Sequence, residues 1–317
     1  MLCQIPRRNL DVSLFGRQYQ SPIIMAPIGV QAVYHGDKEL GSAEIAASLH
    51  IPYIHSTAAT STIEEVAHAN GSGARWFQLY WPKDNEVTKS LLLRAKQHGY
   101  EVLVVTLDTW AMAWRPADLD NGFIPFMRGL GSQNGFSDPV FREKYRAMAG
   151  KEVEEDVEAA AAVWNASVFS GQGGGHNWDD IAYLRDNWDG PIVLKGIQHV
   201  DDAVKALHAG VQGIVVSNHG GRQLDGAIGS LEVLPEIVEA VGENLTVLFD
   251  SGIRTGSDIL KALCLGAKAV LIGRPWVYGL GIGGKKGAQD VLLNLLAVSC
   301  HAPWGINSDI SRTWTSR

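Results

Sequence analysis

Short apolar runs alternate along the chain with stretches in which apolar residues recur every three or four positions. Continuous apolar runs are typical of parallel strands that are covered on both faces, whereas half-exposed strands alternate apolar and polar residues. The pattern therefore predicts eight buried parallel strands: Pro22–Pro27, Tyr53–Thr57, Arg75–Trp81, Val102–Thr109, Pro191–Gly196, Gly213–Asn218, Thr246–Ile253 and Ala269–Arg274.

Between the strands, the spacing of apolar residues predicts amphipathic helices. Their ends carry the usual signals, since Thr62 can cap a helix start and Gly99, Gly210 and Gly266 can stop a helix. The glycine-rich segment Gly279–Gly287 follows the last strand and is interpreted as a loop. The predicted helices are Ser61–Ala69, Val87–Gly99, Val200–Ala209, Ser230–Val241 and Gly256–Leu265.

Eight strand–helix units favour an α/β fold, a closed (β/α)₈ TIM barrel, over an open doubly wound sheet. An open sheet would need a dinucleotide fingerprint after its first strand, and Ile28-Gly29-Val30-Gln31 does not supply one. We expect one domain over residues 1–317, with a long insertion after the fourth strand at about residues 110–175. The insertion holds a helix candidate, Glu152–Trp164, and ends in Gly171–Gly175. Such an insertion is usually a lid or binding loop, and a solvated excursion without a role is the alternative.

Composition narrows the possible partners. With 34 acidic and 27 basic residues the net charge is −7, so neither nucleic acid nor an anionic membrane is expected as a partner. No apolar stretch approaches the roughly 20 residues of a membrane span, and the N-terminus carries no secretory signal. Three scattered cysteines and the lack of zinc-binding patterns predict neither disulfides nor a metal site. We expect a soluble, cytoplasmic protein in which Cys264, within an apolar run, is buried.

Polar and charged residues cluster directly after the predicted strands, where the catalytic groups of a barrel lie. The seventh and eighth strands end in Gly252, Arg254, Gly273 and Arg274. Glycine lets backbone N–H groups approach an anion, and two guanidinium groups neutralise its charge. We therefore predict a phosphate site here, with a structural arginine pair bonded to carboxylates as the alternative.

A glycine-flanked turn after the sixth strand carries His219, which is predicted to be a catalytic base because imidazole titrates near neutral pH. Asp108, at the end of the fourth strand, is best placed to fix its tautomer and to stabilise its charged form. Arg115 and Arg222 are predicted to clamp a substrate carboxylate, and Tyr80 to hydrogen-bond that carboxylate or the reacting hydroxyl. The alternative for His219 is a structural role.

The run Ser217–Asp225 resembles the signature of the FMN-dependent 2-hydroxy-acid dehydrogenases and oxidases. Further segments match in the family's order, and the resemblance covers roughly residues 8–297: Phe77–Tyr80, Thr106–Thr109, Leu194–Gly196, Asp250–Arg254 and Ile272–Pro275. Three segments, with the long insertion, look closest to the lactate 2-monooxygenase-like branch: Trp81–Asp84, Trp114–Asp118 and Phe136–Phe141.

This resemblance implies an enzyme that binds FMN and oxidises a small L-2-hydroxy acid, with oxygen as the final acceptor. The product is the 2-keto acid with peroxide or, if the keto acid stays trapped, a decarboxylated acid. His219 would take either the α-proton or the hydroxyl proton, and Lys195 would stabilise the reduced, anionic flavin. Residues implied around the flavin ring and ribityl chain are Ile28, Gly29, Ser56, Gln78, Thr106, Lys195 and Ser217. Those implied around the ribityl chain and phosphate are Asp250, Gly252, Arg254, Gly273 and Arg274.

The chain departs from the family at both ends. Family members usually carry an earlier segment with an active-site tyrosine, which has no counterpart here, and their C-terminal barrel helix fades here after about Ala297. A truncated, catalytically impaired flavin-binding protein is therefore the alternative function, and an FMN-dependent isomerase on a similar barrel is a third. Ala58 stands where some relatives have a bulky aromatic side chain. By family analogy we expect a homo-oligomer, often a tetramer.

Two further groups of residues beside the strand ends each have two possible roles. His55 is predicted to pack or to support the site from behind. Five tryptophans either help to enclose a flavin or pack in the ordinary way: Trp76, Trp81, Trp110, Trp114 and Trp276.

Overall fold

Eight parallel strands close into a barrel in this computed structural model, which describes residues 9–169 and 175–301. The strands follow one another around the barrel in chain order, and the last pairs with the first: β3 Ile23–Met25, β4 Tyr53–Ser56, β5 Arg75–Leu79, β6 Leu103–Thr106, β7 Ile192–Ile197, β8 Gly213–Val216, β9 Thr246–Phe249 and β10 Ala269–Ile272. Each predicted strand is confirmed. Most end earlier than predicted, because the polar residues that follow them leave the sheet to form loops.

The core has two layers, one inside the barrel and one between the strands and the helices. The inner layer contains Trp76, which is fully buried. An antiparallel hairpin that the sequence pattern did not predict, β1 Val12–Leu14 and β2 Arg17–Tyr19, covers this end of the barrel. Phe15 and Tyr19 pack edge-on against Trp76, with ring centroids 5.7 and 6.5 Å away. The N-terminal end of the barrel is thereby closed, which leaves the carboxyl ends of the strands for ligands.

The five predicted barrel helices are present within about two residues of their predicted ends. Thr62 caps its helix and exchanges hydrogen bonds with Glu65, and Thr255 does the same with Asp258. The helices outside the insertion are α1 Lys38–Ser48, α2 Ile63–Asn70, α3 Asn85–Gln97, α8 Ile181–Asn187, α9 Val200–His208, α10 Ser230–Val241, α11 Gly256–Cys264 and α12 Arg274–His301. Helices α1 and α8 were not predicted, because small residues blur the apolar stripe of α1 and α8 is short.

Two predictions about the C-terminal part are wrong. Gly279–Gly287 is not a loop but lies inside α12, which bends where Gly283 and Gly284 leave the helical conformation. Cys264 is exposed, because it lies at the last turn of α11 on the face away from the buried Ile259. The C-terminal helix continues past Ala297 to His301.

The insertion is folded against the barrel rather than extended into solvent. It contains α4 Pro116–Asp120, α5 Gln133–Phe136, α6 Pro139–Ala149 and α7 Val157–Phe169. The helix candidate Glu152–Trp164 is therefore partly right, since the α-helix begins five residues later and runs further. Most of the predicted glycine-rich end, 171–174, lies outside the described residues.

Asn134 anchors the insertion to the barrel. Its side-chain amide donates to the carbonyl oxygens of Ser56 and Thr57 at 3.0 and 3.2 Å, directly at the end of β4. His55, in the layer between the strands and the helices, completes the contact, since its Nε2 lies within hydrogen-bonding distance of the Asn134 side chain. The insertion is thus fixed to the end of the barrel where ligands bind. Across the described residues, no helix combines the length and the apolar content that a membrane crossing needs.

Candidate active site

A cavity of about 520 Å³ lies at the carboxyl ends of the barrel strands, between the strand ends and the insertion. Most of the residues that the sequence singled out line this cavity: Ile28, Gly29, Ser56, Tyr80, Thr106, Arg115, Lys195, His219, Arg222, Asp250, Gly252, Arg254, Gly273 and Arg274. The other three, Gln78, Asp108 and Ser217, contact lining residues from behind. Residues far apart in the chain therefore converge at one site.

His219 is held by a strained turn. Its backbone φ of 57° lies in the left-handed region, which side chains other than glycine seldom adopt. Two hydroxyl oxygens hold the turn, because Ser217 accepts from the His219 N–H at 3.0 Å and Ser251 accepts from the Gly220 N–H at 2.9 Å. Strain of this kind persists where the surroundings impose it, commonly at functional sites. The turn aims the imidazole ring into the cavity.

Asp108 fixes the orientation of the imidazole. Its Oδ1 lies 2.7 Å from His219 Nδ1, and Thr109 Oγ1 lies 3.2 Å from the same nitrogen. A proton on Nδ1 is therefore shared with the carboxylate, which leaves Nε2 as the basic nitrogen. The pair has the geometry in which a carboxylate stabilises the imidazolium that forms during proton transfer.

The charges around this pair keep His219 neutral and Asp108 ionised. Burial and the nearby Lys195 lower the pKa of His219, and Asp108 opposes them only in part. Burial alone would raise the pKa of Asp108, but Lys195, His219 and Thr109 together hold it below its ordinary value. A neutral imidazole beside an ionised carboxylate is the protonation state that a general base requires.

Lys195 is a buried cation that lies between two carboxylates. Its Nζ lies 3.2 Å from Asp250 and 3.9 Å from Asp108, and it donates to Ser217 Oγ at 3.0 Å. Burial would lower the pKa of Lys195, but the two carboxylates raise it well above its ordinary value, so the ammonium group stays charged. A fixed positive charge therefore lines the cavity beside His219.

Three polar side chains form a chain of hydrogen bonds across adjacent strand ends. Ser56 Oγ donates to Gln78 Oε1 at 2.9 Å, and Gln78 Nε2 donates to Thr106 Oγ1 at 2.9 Å. All three are buried. Polar groups are costly to bury without partners, and this chain satisfies them while it keeps the hydroxyl groups of Ser56 and Thr106 on the cavity wall.

Two guanidinium groups meet on the insertion side of the cavity. Arg115 Nε donates to the carbonyl oxygen of Arg222 at 3.2 Å. The Asp118 carboxylate lies 3.7 Å from Arg115 and 3.8 Å from Arg222, so one carboxylate can be shared by both arginines. Burial and the nearby positive charge of Arg222 lower the pKa of Arg115. A bound anion would therefore stabilise the charged form of Arg115. Burial raises the pKa of the neighbouring Tyr80, whose hydroxyl group stays protonated as a donor.

The opposite part of the cavity suits a phosphate. Gly252 has a φ of 91°, and a Cβ built on it would meet no atom within 4 Å, so its backbone faces open space. Arg254 and Arg274 line the same part, and α12 begins at Arg274. Helix N-termini carry free N–H groups and positive charge that favour anions. Within the part of the chain that the structure describes, neither Arg254 nor Arg274 forms an ion pair with a carboxylate, and Arg274 donates to the Gly220 carbonyl instead, so the alternative of a structural arginine pair is not favoured.

Several residues of the site could not be picked out from the sequence pattern. Thr109 contacts the His219 ring, and Ser251 holds the turn that carries it. Asp118 pairs with the arginines, and Gln223 links Arg115 to the Asp108 backbone. All four lie within segments already matched to the family, so their position was the available signal. The five tryptophans do not line the cavity: Trp76 and Trp276 are buried in the core, Trp81 stacks on His176, and Trp110 and Trp114 are exposed.

The sequence was compared with known proteins. A sequence profile for a family described as FMN-dependent dehydrogenase matches residues 1–297. The chain belongs to this family. FMN is accordingly its cofactor.

Curated relatives and solved structures agree with that membership. An FMN-dependent alpha-hydroxy acid dehydrogenase of Penicillium citrinum is 57% identical over 290 residues, which are 92% of this chain and 71% of the relative. An L-lactate oxidase of Lysinibacillus sphaericus is 41% identical, with 90% of this chain and 72% of the relative covered. A crystal structure of mandelate oxidase with (S)-2-phenylpropionate has a TM-score of 0.77 at 36% identity, and the match covers 95% of this chain and 78% of that chain.

The cavity chemistry fits FMN. The open backbone at Gly252 with Arg254 and Arg274 suits its phosphate. The Asp108 Oδ2 atom is buried without a hydrogen-bond partner, and the charged Lys195 lies beside it on the cavity wall. A fixed ammonium group stabilises negative charge on a bound ring.

Proposed function

We propose that this FMN-dependent enzyme oxidises a small, lactate-like L-2-hydroxy acid to the 2-keto acid, with His219 as the base and oxygen as the final electron acceptor. The observation that carries the proposal is the imidazole of His219, bonded to Asp108 at 2.7 Å, in one cavity with two guanidinium groups and a buried lysine. The names of the relatives, which include lactate and mandelate oxidases, support the same reaction.

Residues on one side of the cavity would hold the cofactor. Bound FMN supplies a two-electron acceptor. Lys195 would hold a positive charge against the ring, while Arg254 and Arg274 would neutralise the phosphate. The remaining proposed cofactor contacts are Ile28, Gly29, Ser56, Gln78, Thr106, Ser217, Asp250, Gly252 and Gly273.

Residues on the other side would bind and deprotonate the substrate. Arg115 and Arg222 share the Asp118 carboxylate at 3.7 and 3.8 Å, and we propose that they receive the substrate carboxylate in the same way. The Tyr80 hydroxyl would donate to the bound acid. His219 Nε2 takes one of the two protons that the hydroxy acid loses, and Asp108 stabilises the resulting imidazolium.

The insertion supports a further proposal, that the keto acid is retained and decarboxylated. Apolar side chains of the insertion, among them Leu119, Phe126 and Phe169, line the cavity over the substrate side. Asn134 fixes the insertion to the end of β4, so this wall is attached to the barrel. When oxygen takes up the two electrons it would be reduced to peroxide, and a keto acid still in the cavity would react with that peroxide to give the decarboxylated acid, carbon dioxide and water.

Product analysis in air tests the proposal. FMN-loaded protein is incubated with L-lactate, and with D-lactate as the matched control, and the organic acids and peroxide are quantified. Oxidase chemistry gives pyruvate and peroxide in equal amounts, and the decarboxylating reaction gives acetate and carbon dioxide. Neither product from L-lactate or from a longer L-2-hydroxy acid would reject the proposed function.

A further inference from the structure

Glu39 is a fully buried carboxylate at the start of α1, outside the cavity and outside the roles described above. Four donors surround it. Its Oε1 accepts from the backbone N–H groups of Gln31 at 3.1 Å and Thr60 at 2.8 Å, and its Oε2 accepts from the hydroxyl groups of Thr60 at 2.7 Å and Ser61 at 3.0 Å. A carboxylate with this many donors is well satisfied in spite of its burial.

The donors come from two different loops that both reach the cavity. Gln31 belongs to the loop after β3, which places Ile28, Gly29 and Val30 on the cavity wall. Thr60 belongs to the loop after β4, which places Ala58 on the same wall. Glu39 therefore joins the two loops from behind through one side chain.

The loop after β3 is strained where Glu39 holds it. Val30 has φ 48° and ψ 38°, a left-handed conformation that is a genuine outlier for a β-branched residue. The Val30 N–H donates to the Ala58 carbonyl at 2.9 Å, and the next N–H, that of Gln31, donates to Glu39. The Ala32 N–H donates to Thr60 Oγ1 at 3.1 Å. Three consecutive N–H groups are thus held, the first and third by the loop after β4 and the second by Glu39 in α1.

The two loops are also tightly packed against each other and against the insertion at the cavity wall. A Cβ on Gly29 would lie 2.6 Å from the Ala58 carbonyl oxygen, and a Cβ on Gly131, in the insertion, would lie 2.8 Å from the Val30 side chain. A shift of the loop after β3 would therefore displace its neighbours on both sides.

We propose that Glu39 is a positioning residue for the cofactor: it holds the loop after β3 in the strained conformation that shapes the wall of the FMN site at Ile28, Gly29 and Val30. The inference deepens the assignment of that wall to FMN, which itself remains a proposal. Loss of the Glu39 contacts lets Val30 relax to an ordinary conformation and opens the wall. FMN binding then weakens, although Glu39 does not line the cavity.

Glu39→Gln is the sharpest test, because it keeps the shape of the side chain and replaces one acceptor oxygen by a donor that faces other donors. The dissociation constant of FMN is measured from the fluorescence that appears as the holoprotein is diluted. We expect the dissociation constant to rise about tenfold or more, which corresponds to about 1.4 kcal/mol of binding free energy. Thr60→Val removes the hydroxyl group that donates to Glu39 and accepts from the Ala32 N–H. It keeps the backbone contact to Glu39, should also raise the dissociation constant, and serves if Glu39→Gln does not fold.

The matched control is Asn70→Ala. Asn70 is also buried and donates to the Ala43 carbonyl at 3.0 Å, but it lies at the C-terminal end of α2, away from the cavity. All three variants should lower the melting temperature, but only Glu39→Gln and Thr60→Val should weaken FMN binding. A dissociation constant that changes no more in these two variants than in Asn70→Ala would overturn the proposal.

A second background separates positioning from general stability. Glycine adopts the left-handed conformation without strain, so in Val30→Gly the loop no longer needs Glu39 to hold it there. Glu39→Gln should then raise the FMN dissociation constant by a smaller factor than in the wild-type background. An equal factor in both backgrounds would contradict the role in holding Val30. Failure of the proposed oxidation with normal FMN binding would leave this result unaffected, so the two proposals can fail separately.

Discussion

His219 combines two features that a structural histidine does not need. Its backbone is strained, with φ at 57°, and its ring nitrogen Nδ1 is bonded to a buried carboxylate, Asp108. The sequence predicted His219 and Asp108 as a pair from their positions at strand ends. Thr109 and Ser251 lie in matched segments, but the sequence could not show that their hydroxyl groups bond His219 and its turn, because those contacts depend on distances that the fold creates.

Replacement of His219 tests its role as base. His219→Ala should keep FMN bound, because the cofactor contacts come from other residues, and it should lose about 10²–10⁴-fold of the rate, which is the usual contribution of general-base catalysis. The rate of flavin reduction by substrate measures the effect, with bound FMN quantified by absorbance. A variant with full FMN content and an unchanged rate would rule out the base role.

The pH dependence follows from the charges around His219. Burial and Lys195 hold its pKa below the ordinary 6.5, and the base must be neutral to accept a proton. We expect the acidic limb of kcat/KM to be centred below pH 6.5. In Asp108→Asn the fall should move to still lower pH, because Asp108 favours the charged imidazole. An acidic limb centred above 6.5 in the wild type would contradict this electrostatic picture.

Among the secondary-structure elements, the strands were the most predictable and the glycine-rich segments the least. A buried parallel strand leaves a continuous apolar run, which is visible without any tertiary contact. Glycine in Gly279–Gly287 suggested a loop, but a Cβ on Gly279 would lie 2.6 Å from the Gly287 carbonyl oxygen. These glycines therefore serve the close approach of the two arms of α12, which only the folded structure shows.

The anchor between β4 and the insertion makes stability depend on pH. Burial lowers the pKa of His55 to about 4 from 6.5. Between these values the unfolded chain binds a proton at this residue that the folded chain does not, so stability falls as the pH drops from 6.5 towards 4. The loss attributable to His55 reaches about 3 kcal/mol at 1.36 kcal/mol per pKa unit.

His55→Gln is the matched variant, because glutamine does not titrate and can still bond Asn134. Urea unfolding at several pH values should show that the variant loses less stability on acidification than the wild type. Parallel pH curves for the two proteins would mean that His55 is not held neutral in the fold.

For the protein as a whole, the family, the barrel and the cofactor could be predicted from the sequence, because motif residues follow strands in a fixed order. The way in which the insertion covers the cavity could not, since its contacts with the strand ends join residues far apart in the chain. Assembly into a homo-oligomer and a cytoplasmic location stay predictions.

Cofactor binding should stabilise the entire fold, because FMN binds only the folded chain. At a free FMN concentration of 100 times the dissociation constant, the gain is about 2.7 kcal/mol. Arg254→Ala should reduce the gain at a given FMN concentration, because it removes one of the two cations of the proposed phosphate site. Arg146→Ala, on the exposed face of α6, is the control and should leave the gain unchanged. Thermal unfolding at a series of FMN concentrations measures the gain in each variant and in the wild type. An Arg254→Ala gain equal to that of the wild type would mean that the phosphate binds elsewhere.

Anaerobic mixing of the FMN-loaded protein with an L-2-hydroxy acid tests most directly whether cofactor, base and acid-binding arginines act together. Without oxygen, electrons that leave the substrate stay on the flavin, so its visible absorption should disappear with the L-enantiomer and persist with the D-enantiomer. Full absorption in a fully flavinated protein, after mixing with short and long L-2-hydroxy acids alike, would contradict the proposed site.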